Sequence, residues 1–364
     1  MVVGTRPEAI KMAPVIRACE DGSAVEAYVC FTGQHREMLQ QVTDYFDISA
    51  NVNLDLMVPN QTLAGLTSRC IAQLDEAIGK ADPHCVVAQG DTTTVMAASL
   101  VAFYRGLDFV HVEAGLRSGD MLSPWPEELN RRVAGLTTRL HCAPTTWARD
   151  NLTREGVPEE KIIVTGNTVI DALFWTLERE KRADAPWPKK YEWLGDRRMI
   201  LMTGHRRENF GDGMQQVCSA IRELASQFPD VAIVYPVHLN PRVRETVNAE
   251  LKGLDNVYLV EPAPYPEFVW LMDRSTLIIS DSGGVQEEAP SLQRPVLVTR
   301  NNTERPEGVD AGAVELVGTQ ADKIIERASE LLTDEAAYAR RQIATSPYGD
   351  GKAASRVIEG IAQL

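Results

Sequence analysis

Two short segments in opposite halves of the chain carry residue types suited to gripping an anion. Gly4-Thr5-Arg6-Pro7-Glu8 follows the first candidate strand, and Ser280-Asp281-Ser282-Gly283-Gly284-Val285-Gln286-Glu287-Glu288 lies deep in the second half. Each reads as a strand end passing through a tight turn into a helix N-terminus. That geometry aims free backbone N–H groups and the positive end of a helix dipole at an anion. Ser282, Gly283 and Gly284 would let the backbone approach a diphosphate. Arg6 carries a planar fork suited to bidentate phosphate contact. Lys11 in the same segment is either a second phosphate contact or a solvated helix residue. Two such cradles imply two α/β domains holding a phosphorylated ligand between them, a nucleotide sugar.

Three carboxylates, Asp91, Glu113 and Glu127, each stand just after a strand or in a loop leading to a helix. The carboxyl ends of strands line the ligand crevice in open parallel sheets. The same positions also fit helix N-capping by Asp91, ahead of Thr92-Thr93-Thr94, and dipole complementation by Glu127. Glu127/Arg131 and Glu128/Arg132 are spaced four apart on a helix, so either pair could be a surface ion pair. That reading suits Glu128 and Arg132, whereas Arg131 is expected to hold a reacting carboxylate or a phosphate.

The elements that must position these residues alternate regularly. Strand candidates in the first half are Met1–Val3, Glu26–Thr32, Cys85–Gln89, Phe109–Glu113, Leu140–Ala143 and Lys161–Thr165. Helices Pro7–Glu20, Gln61–Gly79, Thr92–Tyr104 and Glu127–Gly135 lie between them. The second half repeats the pattern with Met199–Thr203, Val231–Pro236, Val257–Val260, Leu277–Ser280 and Pro295–Val298. Strand–helix alternation is the signature of a parallel sheet covered on both faces. Only three residues precede Gly4, short for a buried strand, which is expected if the chain starts late. A polar, Pro/Trp-rich stretch between Glu178 and Asp196 marks a surface excursion near a domain junction, placed close to Gly166.

The 364 residues suffice for two domains, and 44% hydrophobic with 24% charged residues describes a folded chain. A net charge of −14 argues against nucleic acid as a partner. An anionic ligand then needs a local basic pocket, for which Arg6, Lys11, Arg131, His205, Arg206, Arg207 and Arg305 are available. The six cysteines show no CxxC pair and read as buried free thiols of a reducing cytosol. No signal peptide or membrane span is evident, so a cytoplasmic location is expected. Neither metal-ligand spacing, nor a G-x-G-x-x-G turn with a ribose acid, nor a phosphate loop of the G-x-x-x-x-G-K type occurs. The expectation is no metal and no cofactor.

Nine motifs then appear in order: Gly4-Thr5-Arg6-Pro7-Glu8-Ala9-Ile10-Lys11, Gly33-Gln34-His35-Arg36-Glu37-Met38-Leu39, Gly90-Asp91-Thr92-Thr93-Thr94, His111-Val112-Glu113-Ala114-Gly115-Leu116-Arg117, Ser123-Pro124-Trp125-Pro126-Glu127-Glu128-Leu129-Asn130-Arg131, Thr165-Gly166-Asn167-Thr168-Val169-Ile170-Asp171, Thr203-Gly204-His205-Arg206-Arg207-Glu208-Asn209, the run from Ser280 to Pro290, and Thr303-Glu304-Arg305-Pro306-Glu307. Over its whole length the chain resembles the non-hydrolysing UDP-N-acetylglucosamine 2-epimerases of bacteria, which interconvert UDP-GlcNAc and UDP-ManNAc. The resemblance implies a GT-B-like α/β fold with two Rossmann-like domains around a cleft. These would span residues 1–165 and 166–346, with a C-terminal helix at about 347–364 crossing back to the first. It also implies a homodimer and no nicotinamide.

By the same resemblance, UDP is eliminated from C1–C2 to give 2-acetamidoglucal and then re-added, so one site must hold the departing diphosphate and present carboxylates. Asp91, Glu113 and Glu127 become the acid/base candidates around C2, with their faces unassigned. His205 would hydrogen-bond or protonate the leaving β-phosphate, or else cap the next helix. Glu288 would accept from ribose hydroxyls, Phe268 would pack on uracil unless it is a plain core aromatic, and Arg305 would reach the phosphates. Gln34, Gln61 and His238 resemble a second, activating substrate site. Asn60 stands where regulated members carry an arginine, so activation stays open. The alternatives are a GT-B glycosyltransferase with an acceptor pocket, a hydrolysing relative that releases ManNAc and UDP, and a non-catalytic nucleotide-sugar sensor.

Overall fold

Strands buried on both faces must be apolar almost throughout, and the Val/Ile/Leu-rich runs of this chain build two all-parallel sheets. The structure, a computed structural model, describes residues 1–364 apart from 21–23, 34–35, 59–60, 183–184 and 207–208, and the backbone alone at 36–38. The chain divides into two compact units, Met1–Ala172 with Tyr348–Leu364, and Leu173–Pro347.

The first unit contains β1 (Val2–Val3), β2 (Cys30–Phe31), β3 (Val52–Asn53), β4 (Cys85–Gln89), β5 (Asp108–Val112), β6 (Leu140–Ala143) and β7 (Ile162–Val164), in the order β3-β2-β1-β4-β5-β6-β7. The second contains β8 (Met199–Thr203), β9 (Ala232–Pro236), β10 (Val257–Val260), β11 (Leu277–Ser280), β12 (Val296–Val298) and β13 (Val314–Leu316), in the order β10-β9-β8-β11-β12-β13. Both are Rossmann-like windings of the GT-B-like class. The winding direction reverses between β1 and β4 in one sheet and between β8 and β11 in the other. Ligands of doubly wound sheets bind beyond the carboxyl ends of the strands at such reversals.

Packing explains the helices. Thr62 caps Leu63–Ala81 by accepting the Gly65 N–H at 3.1 Å. Thr92 begins the helix Thr93–Tyr104, which is apolar almost all round because Val95, Ala97, Ala98, Val101 and Ala102 are all buried in the first core with Leu74, Val86 and Phe109. The second core gathers Ile200, Ile233, Tyr235, Ile279, Leu297 and Ile324. The final helix, Ala353–Ile361, is held in the first unit by Asp171, whose carboxylate accepts the N–H groups of Ala353 and Ala354 at 3.1 and 2.8 Å.

Three differences from the sequence reading are local. β2 is only two residues long instead of the expected Glu26–Thr32, and β3 and β13 were not foreseen. β3 and β13 are edge strands of two and three residues, too short to impose a pattern.

Candidate functional site

The site residues of the first unit follow from the ends of β4 and β5. Thr92, not Asp91, is the N-cap of Thr93–Tyr104, which corrects the capping alternative for Asp91. The Asp91 carboxylate instead accepts from Arg131 Nη2 at 2.5 Å, and Asn130 Nδ2 donates to the Asp91 carbonyl at 2.9 Å. Both partners lie on the helix Glu127–Thr137, whose first turn carries the half-buried Glu127. Glu128, read from spacing as half of a surface ion pair, is fully buried. It accepts from Arg131 at 3.1 Å, Arg132 at 3.2 Å and the Ser118 N–H at 3.1 Å. Its role is therefore to hold Arg131 against Asp91.

Glu113 directly follows β5 with a backbone φ of 65°, a left-handed conformation that costs a non-glycine residue about 1 kcal/mol or more. The chain continues through Gly115, at φ 91°, where a Cβ would sit 2.2 Å from the Ala148 carbonyl oxygen; only glycine fits. The buried Glu113 carboxylate accepts from Lys11 Nζ at 2.5 Å, from Asn167 Nδ2 at 3.2 Å and from Gln89 Nε2. Lys11 is itself buried. The solvated reading of Lys11 is thus overturned, and its ammonium neutralises a candidate base.

The first cradle also differs from expectation. The N–H groups of Gly4 and Thr5 are taken by the chain's own Glu8, whose Oε2 accepts them at 2.5 and 2.9 Å while Oε1 accepts from Thr92 Oγ1 at 2.5 Å. Burial pushes the Glu8 carboxyl up to about 7, against hydrogen bonds from Thr92, Gly4 and Thr5. The turn is therefore capped from within. What remains for an anion there is Arg6, half-buried, with desolvation lowering its guanidinium pKa and no ion-pair partner among the described residues.

In the second unit, β8 leads into Gly204-His205 and β11 into Asp281-Ser282. Ser282 is the N-cap of the short helix Gly283–Glu288 without a side-chain cap bond, and among the described residues no side chain accepts from the N–H groups of Gly283 or Gly284 as Glu8 does in the first cradle. Arg305 lies over this turn: a Cβ on Gly283 would meet its Nη1 at 2.8 Å. Its guanidinium is paired with Glu287 and Glu304, each at 2.5 Å. Burial acts upward on Glu304, but Arg305, Arg300 and Arg206 outweigh it and bring that carboxyl down to about 2. Glu288 is buried and accepts from Tyr265 OH at 2.7 Å. Phe268, on the helix Tyr265–Arg274, is half-buried, whereas Val269, Leu271 and Met272 beside it are buried. This does not fit a plain core aromatic.

His205 is exposed, and its ring stacks on that of His238 with centroids 5.5 Å apart. His238 therefore neighbours a candidate catalytic group. Gln61 accepts from Arg69 at 2.5 Å, and Gln34, Asn60 and Arg207 lie outside the described residues. The sequence reading did not single out the groups that hold the candidates: Glu8, Gln89, Asn130, Asn167, Tyr265 and Asp281. Glu8 alone carries a local signal, standing three residues after Thr5 in capping-box spacing; the other five meet their partners across 23 to 76 residues of chain, which spacing does not reveal. Among the described residues, no group of three or more His, Cys, Asp or Glu is arranged to hold a metal.

Residues 17–362 match the family model described as UDP-N-acetylglucosamine 2-epimerase. The chain is 51% identical over 364 residues to the UDP-N-acetylglucosamine 2-epimerase of Yersinia pestis, covering 99% of this chain and 97% of that one. The crystal structure of UDP-GlcNAc 2-epimerase from Neisseria meningitidis bound to UDP-GlcNAc matches with a TM-score of 0.95 and 46% identity, over 100% of this chain and 99% of that one. The S. aureus MnaA–UDP co-structure matches with a TM-score of 0.91 and 44% identity, over 100% and 95% of the two chains.

Proposed function

The chain belongs to the UDP-N-acetylglucosamine 2-epimerase family, and on that premise we propose that it interconverts UDP-GlcNAc and UDP-ManNAc at C2 without net hydrolysis and without a cofactor. The observation that carries this reading is a pair of cation-matched carboxylates on adjacent strand ends, Asp91 with Arg131 and Glu113 with Lys11. A Cβ on Gly90, the residue before Asp91, would stand 3.8 Å from Glu113 Oε2. Inversion at C2 needs one group to remove a proton and another to return it from the opposite face, and two neighbouring carboxylates of separate origin meet that need. Glu127, in the first turn of the helix that supplies Arg131, is the third acid/base group.

The elimination runs as follows. A carboxylate takes the C2 proton, the electron pair forms the C1–C2 double bond, and the C1–O bond breaks to release UDP and 2-acetamidoglucal. His205 gives a proton to the leaving β-phosphate oxygen. Re-addition returns that oxygen to C1 and a proton to the other face of C2. Arg6 and Arg305 bind the diphosphate with the N–H groups of Gly283 and Gly284. Glu288 accepts from the ribose, and Phe268 stacks on uracil. Arg305 exchanges its carboxylate partners for phosphate as the ligand arrives.

The active form is a homodimer, a reading supported by Phe103, Tyr104 and Leu136, which are 63, 71 and 86% exposed. The enzyme works in the cytoplasm and supplies ManNAc for cell-surface polysaccharide; no helix among the described residues is long and apolar enough to cross a membrane.

Anion-exchange separation of the products formed from UDP-GlcNAc tests the proposal. UDP-ManNAc with the total of UDP-sugars conserved is expected. Accumulation of UDP with free ManNAc would mean hydrolysis, and turnover only upon addition of an acceptor sugar would mean glycosyl transfer.

A further inference from the structure

Asp281 is fully buried at the end of β11, beside the end of β8, where the second sheet reverses its winding. A buried carboxylate is tolerated only when its lone pairs are used, and this one is aimed at a single turn. Its Oδ2 accepts the N–H groups of His205 and Arg206, both at 2.9 Å, and Asn209 Nδ2 at 3.3 Å. Its Oδ1 accepts the His205 N–H at 3.2 Å and lies 3.3 Å from His205 Nδ1. The two strand ends are themselves tied, Thr203 Oγ1 to Ser280 Oγ at 2.8 Å, and Tyr235 OH donates to the Gly204 carbonyl at 3.3 Å.

We propose that Asp281 is a positioning residue that fixes His205 in the Nδ1–H tautomer and leaves Nε2 as the atom that exchanges a proton with the ligand. An ionised carboxylate only accepts hydrogen bonds, so the oxygen 3.3 Å from Nδ1 favours hydrogen on that ring nitrogen over a lone pair. In its imidazolium form the ring carries a second hydrogen on Nε2 and gives it to the departing β-phosphate oxygen: the N–H bond breaks, an O–H bond forms, and a neutral ring with Nδ1–H remains. On re-addition the proton returns from that oxygen to Nε2. Nδ1–H never takes part, so one acid serves both directions without a change of tautomer. The proposal rests on the reading of His205 given above.

Asp281→Asn tests it. The amide oxygen can keep the Oδ2 position and its 2.9 Å bonds from the His205 and Arg206 N–H groups, at the loss of the longer 3.2 Å bond to Oδ1, which places the NH2 group opposite His205 Nδ1 and favours a lone pair there. An Asp→Asn change behind a histidine is known to select the wrong tautomer in this manner. Long-range proton–nitrogen NMR of the imidazoles in the substrate-free protein is expected to show Nδ1–H at neutral His205 in the wild type and Nε2–H in Asp281→Asn. The variant is expected to lose about 10²-fold in kcat, toward the lower end of what a positioned acid contributes, with KM nearly unchanged. In a His205→Ala background the same change is expected to cost almost nothing. An Nε2–H tautomer in the wild type overturns the proposal without any variant. So does the same tautomer in both proteins, or a full multiplicative loss in the His205→Ala background. The tautomer readout needs no substrate: a switch of tautomer in a protein that fails to epimerise would sink the proposed reaction and leave this inference standing.

Discussion

Replacing Lys11 by Met removes one charge from a buried pair while keeping most of the side chain's volume. Lys11 Nζ and Glu113 Oε1 are 2.5 Å apart, with side-chain exposures of 11 and 7%. At that separation and an effective dielectric near 20 the gross attraction is about 7 kcal/mol. Desolvation of both ions offsets part of it, and removing one partner from such pairs typically costs about 3–5 kcal/mol. Gln89 and Asn167 continue to donate to Glu113 in the variant, which places the expected cost near the lower bound, about 3 kcal/mol. For a unit of this size that corresponds to a drop of roughly 6–12 °C in the unfolding midpoint. Glu113→Gln alone should cost a comparable amount, because it strands the buried ammonium. The double variant should recover at least about 2 kcal/mol relative to the sum of the singles. Calorimetry with the two units' transitions resolved separately is the assay, since one two-state transition is not expected of a two-unit chain. Additive losses, or a Lys11→Met cost below about 1 kcal/mol, would refute the buried-pair reasoning.

Arg131→Met removes the donor that orients Asp91 and should lower kcat about 10- to 100-fold with little change in KM; an equal rise in KM would assign Arg131 to substrate binding. Gly115→Ala drives a Cβ into the Ala148 carbonyl at 2.2 Å from a positive φ and should cost at least about 3 kcal/mol in chemical denaturation; a cost under 1 kcal/mol would show that the loop yields. Burial holds His111 to about 4 and His141 to about 3, below the ordinary 6.5. Between pH 6.5 and 4 the unfolded chain therefore binds protons that the folded chain does not, and these two groups withdraw stability as the pH falls through that window. Proton NMR should show both imidazole signals flat down to about pH 5, and titration of either near 6.5 would contradict it.

The central strands were readable because a parallel sheet buried on both faces demands apolar runs; β4, β6, β8 and β11 follow from those runs almost to the residue. Val52–Asn53 and Val314–Leu316 were not readable, since two or three residues at a sheet edge carry no period of their own. The charged residues divide in the same way. Their positions near strand ends were evident, and Arg131 does hold a candidate carboxylate as expected; which carboxylate it holds, and that Lys11 meets Glu113, follows only from the strand order. Glu128 shows the hazard most clearly: i,i+4 spacing implies a solvated pair, while the fold turns that carboxylate inward to brace Arg131. Glu8 shows the converse, a motif residue whose side chain fills the very N–H groups that the turn seemed to hold open for a ligand.

Proton NMR of the purified protein with UDP-GlcNAc in heavy water tests the account most directly. It predicts UDP-ManNAc carrying deuterium at C2, with solvent deuterium entering recovered UDP-GlcNAc as well, and loss of both in Asp91→Asn. UDP-ManNAc that retains its original C2 proton, or binding without any exchange at C2, would contradict it.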